Sequence, residues 1–171
     1  MLLDIKESFL DSKPLRRMMS TSWIPPPGLA LKFNVNESVR GNPGKAGIGG
    51  VLRDSLGKIL GLFSEFVVIF DPISTEILAI PRAVNLCVNT SDLVGKEIVF
   101  VSGSKTAVTW INSDGFKSLA HANIILDIRN LLMSLDNSSI IFNPRDSNSL
   151  ANSLAKKGVV QERNDLVWEF P

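Results

Sequence analysis

One cysteine, Cys87, and one histidine, His121, restrict the chemistry this chain can carry. A lone thiol closes no intramolecular disulfide, and Cys87 falls in an apolar helical pattern, so it reads as a small core residue rather than a nucleophile. A reducing compartment fits, hence an intracellular location, nuclear or cytoplasmic. His121 stands at the start of a long helical stretch with no second ligand candidate nearby, which favours a surface or capping role over metal binding or catalysis. An excess of one charge is also missing. Eighteen Lys and Arg balance 17 Asp and Glu to a net +1, so no whole-protein field draws the chain onto nucleic acid or an anionic membrane, and any basic surface is local. No apolar run reaches the ~18 residues of a membrane span. Residues 1–10 carry Asp4, Lys6 and Glu7 among their apolar residues, unlike a signal peptide. The expectation is a soluble monomer with no membrane partner.

What is present suits one domain. A chain of 171 residues, 44% hydrophobic and 20% charged, is long enough to bury a core of its own. It divides near Ala30. Residues 1–29 mix charges around Lys13, Arg16 and Arg17 and end in Trp23-Ile24-Pro25-Pro26-Pro27-Gly28, whose prolines remove backbone donors and enforce extended geometry. They read as a tail or linker. Residues 30–160 form the expected domain and residues 161–171 a C-terminal extension.

From Leu31 the hydrophobic pattern alternates between period 2 and period 3.6. Leu31, Phe33 and Val35 share one side of a half-buried strand, with Lys32, Asn34 and Asn36 on the other. Residues 41–44 turn the chain. Residues 48–53 and 58–70 predict two further strands joined by the turn Asp54-Ser55-Leu56-Gly57. Asp71-Pro72 is a helix start, and Ile73, Ile77, Ile80 and Val84 give that helix its apolar face. Pro81 lies inside it, at an expected cost of ~3 kcal/mol unless a kink is accommodated. Strand 97–102, helix 104–111, helix 120–135, strand 139–142 and helix 147–157, stopped by Gly158, complete the order. Three antiparallel strands followed by helix, strand, helix, helix, strand, helix predict an α/β fold with a five-stranded mixed sheet flanked by helices.

Several segments carry a resemblance: WIPPPG from Trp23, LKFNVNES from Leu31, RGNPGKAGIGGVLRDSLGKILGLFS from Arg40, STEILAI from Ser74, VFVSGSKTAVTWI from Val99 and PRDSNSLANSLAKKG from Pro144. In this order and spacing they resemble the ribonuclease H-like domain of plant non-LTR retrotransposon reverse transcriptases and of stand-alone plant proteins derived from them. The resemblance implies a ribonuclease H-like fold and cleavage of RNA in an RNA–DNA hybrid. Two Mg²⁺ ions ~3.5–4 Å apart would stabilise the attacking water and leaving oxygen. It also implies a set of carboxylates to hold them.

Four of the five reacting positions implied by the resemblance have changed. The first-strand Asp of N-V-D-G/E-S falls on Asn36. The Glu of T-A-E falls on Glu76, the one carboxylate kept and the one candidate metal ligand. The Asp of E-S-D-S falls on Gly103, the Asp of A-N-x-x-A-D on Asn152, and the His of H-V-P-R-E on Phe142. One unit-charge pair at ~4 Å and effective dielectric ~20 contributes about 4 kcal/mol. Three lost carboxylates therefore leave no stable Mg²⁺ pair, since Mg²⁺ gives up its waters reluctantly. Glu37 is no substitute for Asn36, because neighbouring strand residues point to opposite faces. Asp54 and Asp146 read as turn and cap residues.

Binding is a separate matter. The resemblance implies minor-groove contacts from the GNPG loop, where 2′-hydroxyls mark RNA, and Asn42, Gly44 and Ser74 occupy those positions; a plain tight turn is the alternative for GNPG. Ile73 stands where an Asn is often found. Lys105, Lys156 and Lys157 suit either phosphate contacts or helix ends. Residues 44–50 do not form G-x-G-x-x-G and open no helix, and Gly57-Lys58 lacks the upstream glycine of a phosphate loop. Trp110 and Trp168 read as packing residues. Three readings remain: a ribonuclease H-like domain that has lost its nuclease centre and binds nucleic acid weakly, an active Mg²⁺-dependent ribonuclease, and a protein-interaction module.

Overall fold

Six strands form one mixed sheet in the computed structural model, which describes residues 23–41, 44–69, 75–114 and 119–171, with the side chains of Thr75, Glu76, Arg145 and Asp146 outside that description. Strands β1 (Leu31–Gly41), β2 (Gly44–Arg53) and β3 (Ile59–Ile69) run as an antiparallel meander. The turn between β2 and β3 is set by Asp54, whose Oδ1 accepts from the backbone N–H of Leu56 at 3.0 Å and of Lys58 at 2.9 Å, as its turn role predicts. Strand β4 (Ile98–Ser102) pairs parallel with β1, and β5 (Ser138–Phe142) parallel with β4. The spatial order is β5-β4-β1-β2-β3-β6.

The sixth strand, β6 (Asp165–Trp168), corrects the expected count of five. It pairs antiparallel with the edge of β3. Four residues are too few to show a period, and what fixes them is tertiary. Trp168 stacks on Phe33 with ring centroids 6.1 Å apart and donates from Nε1 to Thr90 Oγ1 at 3.0 Å, while Val167 is buried on the opposite face. Both indoles read as packing residues do pack.

Helices cover both faces of the sheet. On one, α1 (Thr75–Val88) and α3 (Ala122–Ser134) bury Phe33, Val35, Leu52, Phe63, Phe100, Ile77, Ile80 and Ile128 in the larger core, with α2 (Lys105–Asn112) alongside. On the other, α4 (Ser149–Gln161) closes a smaller core of Val51, Ile59, Leu62, Leu150, Leu154 and Val167. Double cover is why residues 31–36 are all buried, rather than alternating as a half-buried strand does. The strands also run further than expected, β1 to Gly41 and β2 from Gly44.

Helix α4 lies directly on the sheet because small residues let it. A β-carbon on Gly47 would stand 2.0 Å from the Ala155 carbonyl oxygen, one on Gly49 2.4 Å from the Ala155 nitrogen, and one on Gly158 2.5 Å from the Glu65 carbonyl oxygen. Gly158 is thus a contact residue, not the predicted stop. The helix continues to Gln161 and ends at Glu162, which takes the left-handed conformation at φ 49°.

On the other face, α1 runs unbroken through Pro81, and Arg82 Nε meets Glu65 Oε1 at 2.5 Å to tie the helix to β3. Asp71, Pro72 and Ile73, the expected start of this helix, lie outside the described residues. Cys87 is fully buried, as expected, and burial pushes its thiol up to about 12. His121 is not a surface residue: it is 3% exposed and stacks on Trp110 with centroids 5.4 Å apart, and its side chain makes no capping bond to α3. Its polar tip is compatible with burial because the imidazole face packs as an aromatic. Among the described residues no helix is long and apolar enough to cross a membrane.

Candidate functional site

Strands β1 and β4 stay paired up to Val35 and Ser102. The next residue on each is a predicted site position, Asn36 on β1 and Gly103 after β4, so the place where the ladder ends brings the two together. Asn36 is 3% exposed. Its Oδ1 lies 2.9 Å from where a β-carbon on Gly103 would stand, and Asn148 Nδ2 lies 3.5 Å from that same point. Asn148 was passed over in the sequence, although it sits within PRDSNSLAN. It precedes α4, is 1% exposed, and donates from Nδ2 to the Val35 carbonyl at 2.6 Å. The helix start is thereby fastened to the middle of β1.

Asn152 follows Asn148 by one helical turn and is half-buried. Glu76 is the second residue of α1, with its side chain outside the described set. Phe142 ends β5 beside Ser102 and is 38% exposed. Ser102 and Ser104 are committed locally: Ser102 Oγ accepts from the Ser104 N–H at 3.1 Å, and Ser104 Oγ caps α2 by accepting from the Ala107 N–H at 3.1 Å.

Of the predicted nucleic-acid residues, Asn42 and Ser74 lie outside the described residues. Gly44 opens β2, where a β-carbon would stand 2.3 Å from the Arg40 carbonyl oxygen, and Gly41 has φ +84°. Both glycines are thus demanded by the turn itself. Lys157 Nζ reaches Asp165 at 3.8 Å and joins α4 to β6. Lys105 opens α2, the end where a helix dipole disfavours a cation, so the helix-end reading does not account for it.

The observed donor set does not suit a pair of Mg²⁺ ions. Two buried amides, of Asn36 and Asn148, lie against Gly103, and Asn36 Nδ2, a donor, is buried with no acceptor. An orphaned donor is the wrong polarity for a cation. Among the described residues no three His, Cys, Asp or Glu side chains cluster.

A second feature adjoins these asparagines and was missed because Trp23 was read as tail. Its Nε1 donates to Asn34 Oδ1 at 3.2 Å, and its ring lies 5.1 Å from the Arg53 guanidinium carbon and 5.9 Å from Lys32 Nζ. Lys32 also donates to the Ile24 carbonyl at 2.8 Å. The Pro-rich segment is therefore held against the sheet at its start. Burial lowers the Arg53 guanidinium to about 10, and burial followed by the nearby Arg53 charge lowers the Lys32 ammonium. Beneath the indole is a shallow recess, open to solvent and bordered by Asn34, Arg53, Asn148 and the first turn of α4.

The sequence profile of the family described as reverse transcriptase-like matches residues 34–158. The chain belongs to that family. Curated protein sequences give no match. Among solved structures, this reverse transcriptase-like chain is similar to LC11-RNase H1, isolated from compost by a metagenomic approach, at 24% identity and a TM-score of 0.71, covering 79% of this chain and 99% of the other. The same enzyme in complex with RNA/DNA hybrid gives 24% identity and 0.69 over 77% and 98%. RNase H1 from the archaeon Halobacterium salinarum gives 22% and 0.68 over 77% and 98%. These likenesses establish the ribonuclease H fold for the reverse transcriptase-like domain.

Proposed function

We propose that this reverse transcriptase-like domain is a ribonuclease H fold that binds RNA–DNA hybrid weakly and does not cleave it, of the kind derived from plant non-LTR retrotransposons. The observation that carries the reading is the juxtaposition of the Asn36 amide and Gly103, at positions where the resemblance implies two carboxylates. Asn152 and Phe142 remove a third carboxylate and the histidine, leaving Glu76 alone. With about 4 kcal/mol lost per missing charge pair, Mg²⁺ is not held as a pair and the transition-state charge goes unneutralised.

Hybrid binding is supported by the fold and by Asn42, retained in the GNPG turn. A net charge of +1 limits phosphate contacts to a few, so affinity is low and falls with salt. The reading is tested by titrating Mg²⁺ and Mn²⁺ into the protein by calorimetry and assaying the same sample on a labelled hybrid. We expect no metal heat and no cleavage, with salt-sensitive hybrid binding in a gel shift. Metal-dependent cleavage abolished by Glu76→Gln would overturn it. A partner retained after nuclease treatment, without hybrid binding, would favour a protein-interaction module.

A further inference from the structure

Lys32 and Arg53 stand directly opposite each other across the β1–β2 ladder, and they are only 6% and 5% exposed. Like charges at opposed strand positions repel, and burying both adds a desolvation cost that usually calls for a counter-charge. Among the described residues no carboxylate supplies one. Among those residues Lys32 has the Ile24 carbonyl, and Arg53 has the Trp23 ring with no hydrogen-bond acceptor. A guanidinium presents five donors in a planar fork suited to oxyanions.

The neighbouring walls of the recess are similarly incomplete. Asn34 is 2% exposed, and although its Oδ1 is taken by Trp23, its Nδ2 donor is buried with no partner. The first turn of the 13-residue α4 forms the facing wall and carries no acidic residue, so its positive dipole end is uncompensated there. Asn148 Oδ1, also unpartnered, is an acceptor on this wall and suits a ligand hydroxyl.

We infer that the mouth of the recess beneath Trp23 is an anion site for a phosphate group, held by Arg53 with Asn34 Nδ2 as a neutral donor, Lys32 adding positive charge from the paired strand position and Trp23 acting as the platform that fixes the guanidinium. The site stands apart from hybrid binding and needs neither Asn36 nor the GNPG turn.

The test follows the Trp23 indole N–H signal by NMR, assigned with Trp23→Phe, while inorganic phosphate is added at constant ionic strength against chloride. A saturable shift is expected in the wild type, weakened at least tenfold in Arg53→Gln and unchanged in Lys45→Gln, a surface control. Lys32→Gln provides a second variant should Arg53→Gln fail to fold. No saturable shift in the wild type, or equal affinity in the Arg53 and Lys32 variants, would overturn the inference. Uridine 5′-monophosphate run in parallel identifies the source: tighter binding than inorganic phosphate indicates a nucleotide, and equal or weaker binding a free anion. An Asn42→Ala variant that loses the hybrid gel shift but keeps the phosphate response separates this site from the proposed hybrid interface.

Discussion

The Asn36 side-chain oxygen lies 2.9 Å from the point a β-carbon on Gly103 would occupy. The two positions are therefore filled as a unit, and changing one presses on the other. Gly103→Asp alone should destabilise by ~1–3 kcal/mol, through overpacking against the Asn36 amide. Asn36→Asp together with Gly103→Asp sets two carboxylates side by side, so this double variant should melt lower than either single variant in chelator. Mg²⁺ should raise its midpoint, by about 2.7 kcal/mol of stability when metal is at a hundred times Kd, while leaving the wild-type midpoint unmoved. Thermal melts with and without Mg²⁺ check both statements.

Gly49→Ala tests how closely α4 lies on the sheet. Its new β-carbon would meet the helix backbone at 2.4 Å, and backbone cannot rotate away as a side chain can. The expected loss is ~1–3 kcal/mol, occasionally more, read from urea unfolding. Gly57→Ala, in the β2–β3 turn, strains a positive φ but touches no helix. Only Gly49→Ala should also increase hydrogen exchange along α4.

Pro81→Ala restores a backbone donor within an unbroken helix. Because α1 continues past the proline, the native backbone is compatible with alanine. Stability should rise by up to ~3 kcal/mol. An unchanged urea midpoint would mean that packing around the ring already offsets the missing bond.

Cys87 predicts an alkaline instability. Burial raises its thiol from 9.0 to about 12. Below pH 9 folded and unfolded chains both keep the proton, so the thiol's contribution is fully present. Between pH 9 and 12 only the unfolded chain ionises, and stability falls by about 1.4 kcal/mol per pH unit. The lowered Lys32 and Arg53 values act in the opposite direction, yet equally in wild type and variant. The stability difference between wild type and Cys87→Ala, measured by urea at pH 8, 9, 10 and 11, should therefore shrink with that slope above pH 9.

The meander was legible because Leu31, Phe33 and Val35 alternate with polar residues along β1 and because β2 and β3 are joined by a turn whose chemistry Asp54 and Gly57 announce. The α/β order and the buried faces of Ile77, Ile80 and Val84 could be read for the same reason. Strand β6 escaped because its four residues carry no period of their own and depend on the edge of β3. Gly158 misled because close approach to a sheet and helix termination both select glycine, and sequence does not distinguish them. At the site, Asn36 and Gly103 could be paired through the resemblance alone. Asn148 and Trp23 could not, since one acts by fastening helix to strand and the other by folding back onto residues 11 positions away.

The bonds that seat α4 span the chain: Asn148 reaches Val35 across 113 residues, and Ser64 reaches the Leu154 carbonyl across 90. During synthesis, at 5–20 residues per second, roughly 5–25 seconds separate the emergence of β1 from that of the helix which covers it. Throughout that interval the glycine-lined face of the meander is bare and the outer edge of β3 lacks its β6 neighbour, the two surfaces on which nascent chains associate. The edge of β3 is accordingly most open to pairing with another chain before β6 is in place.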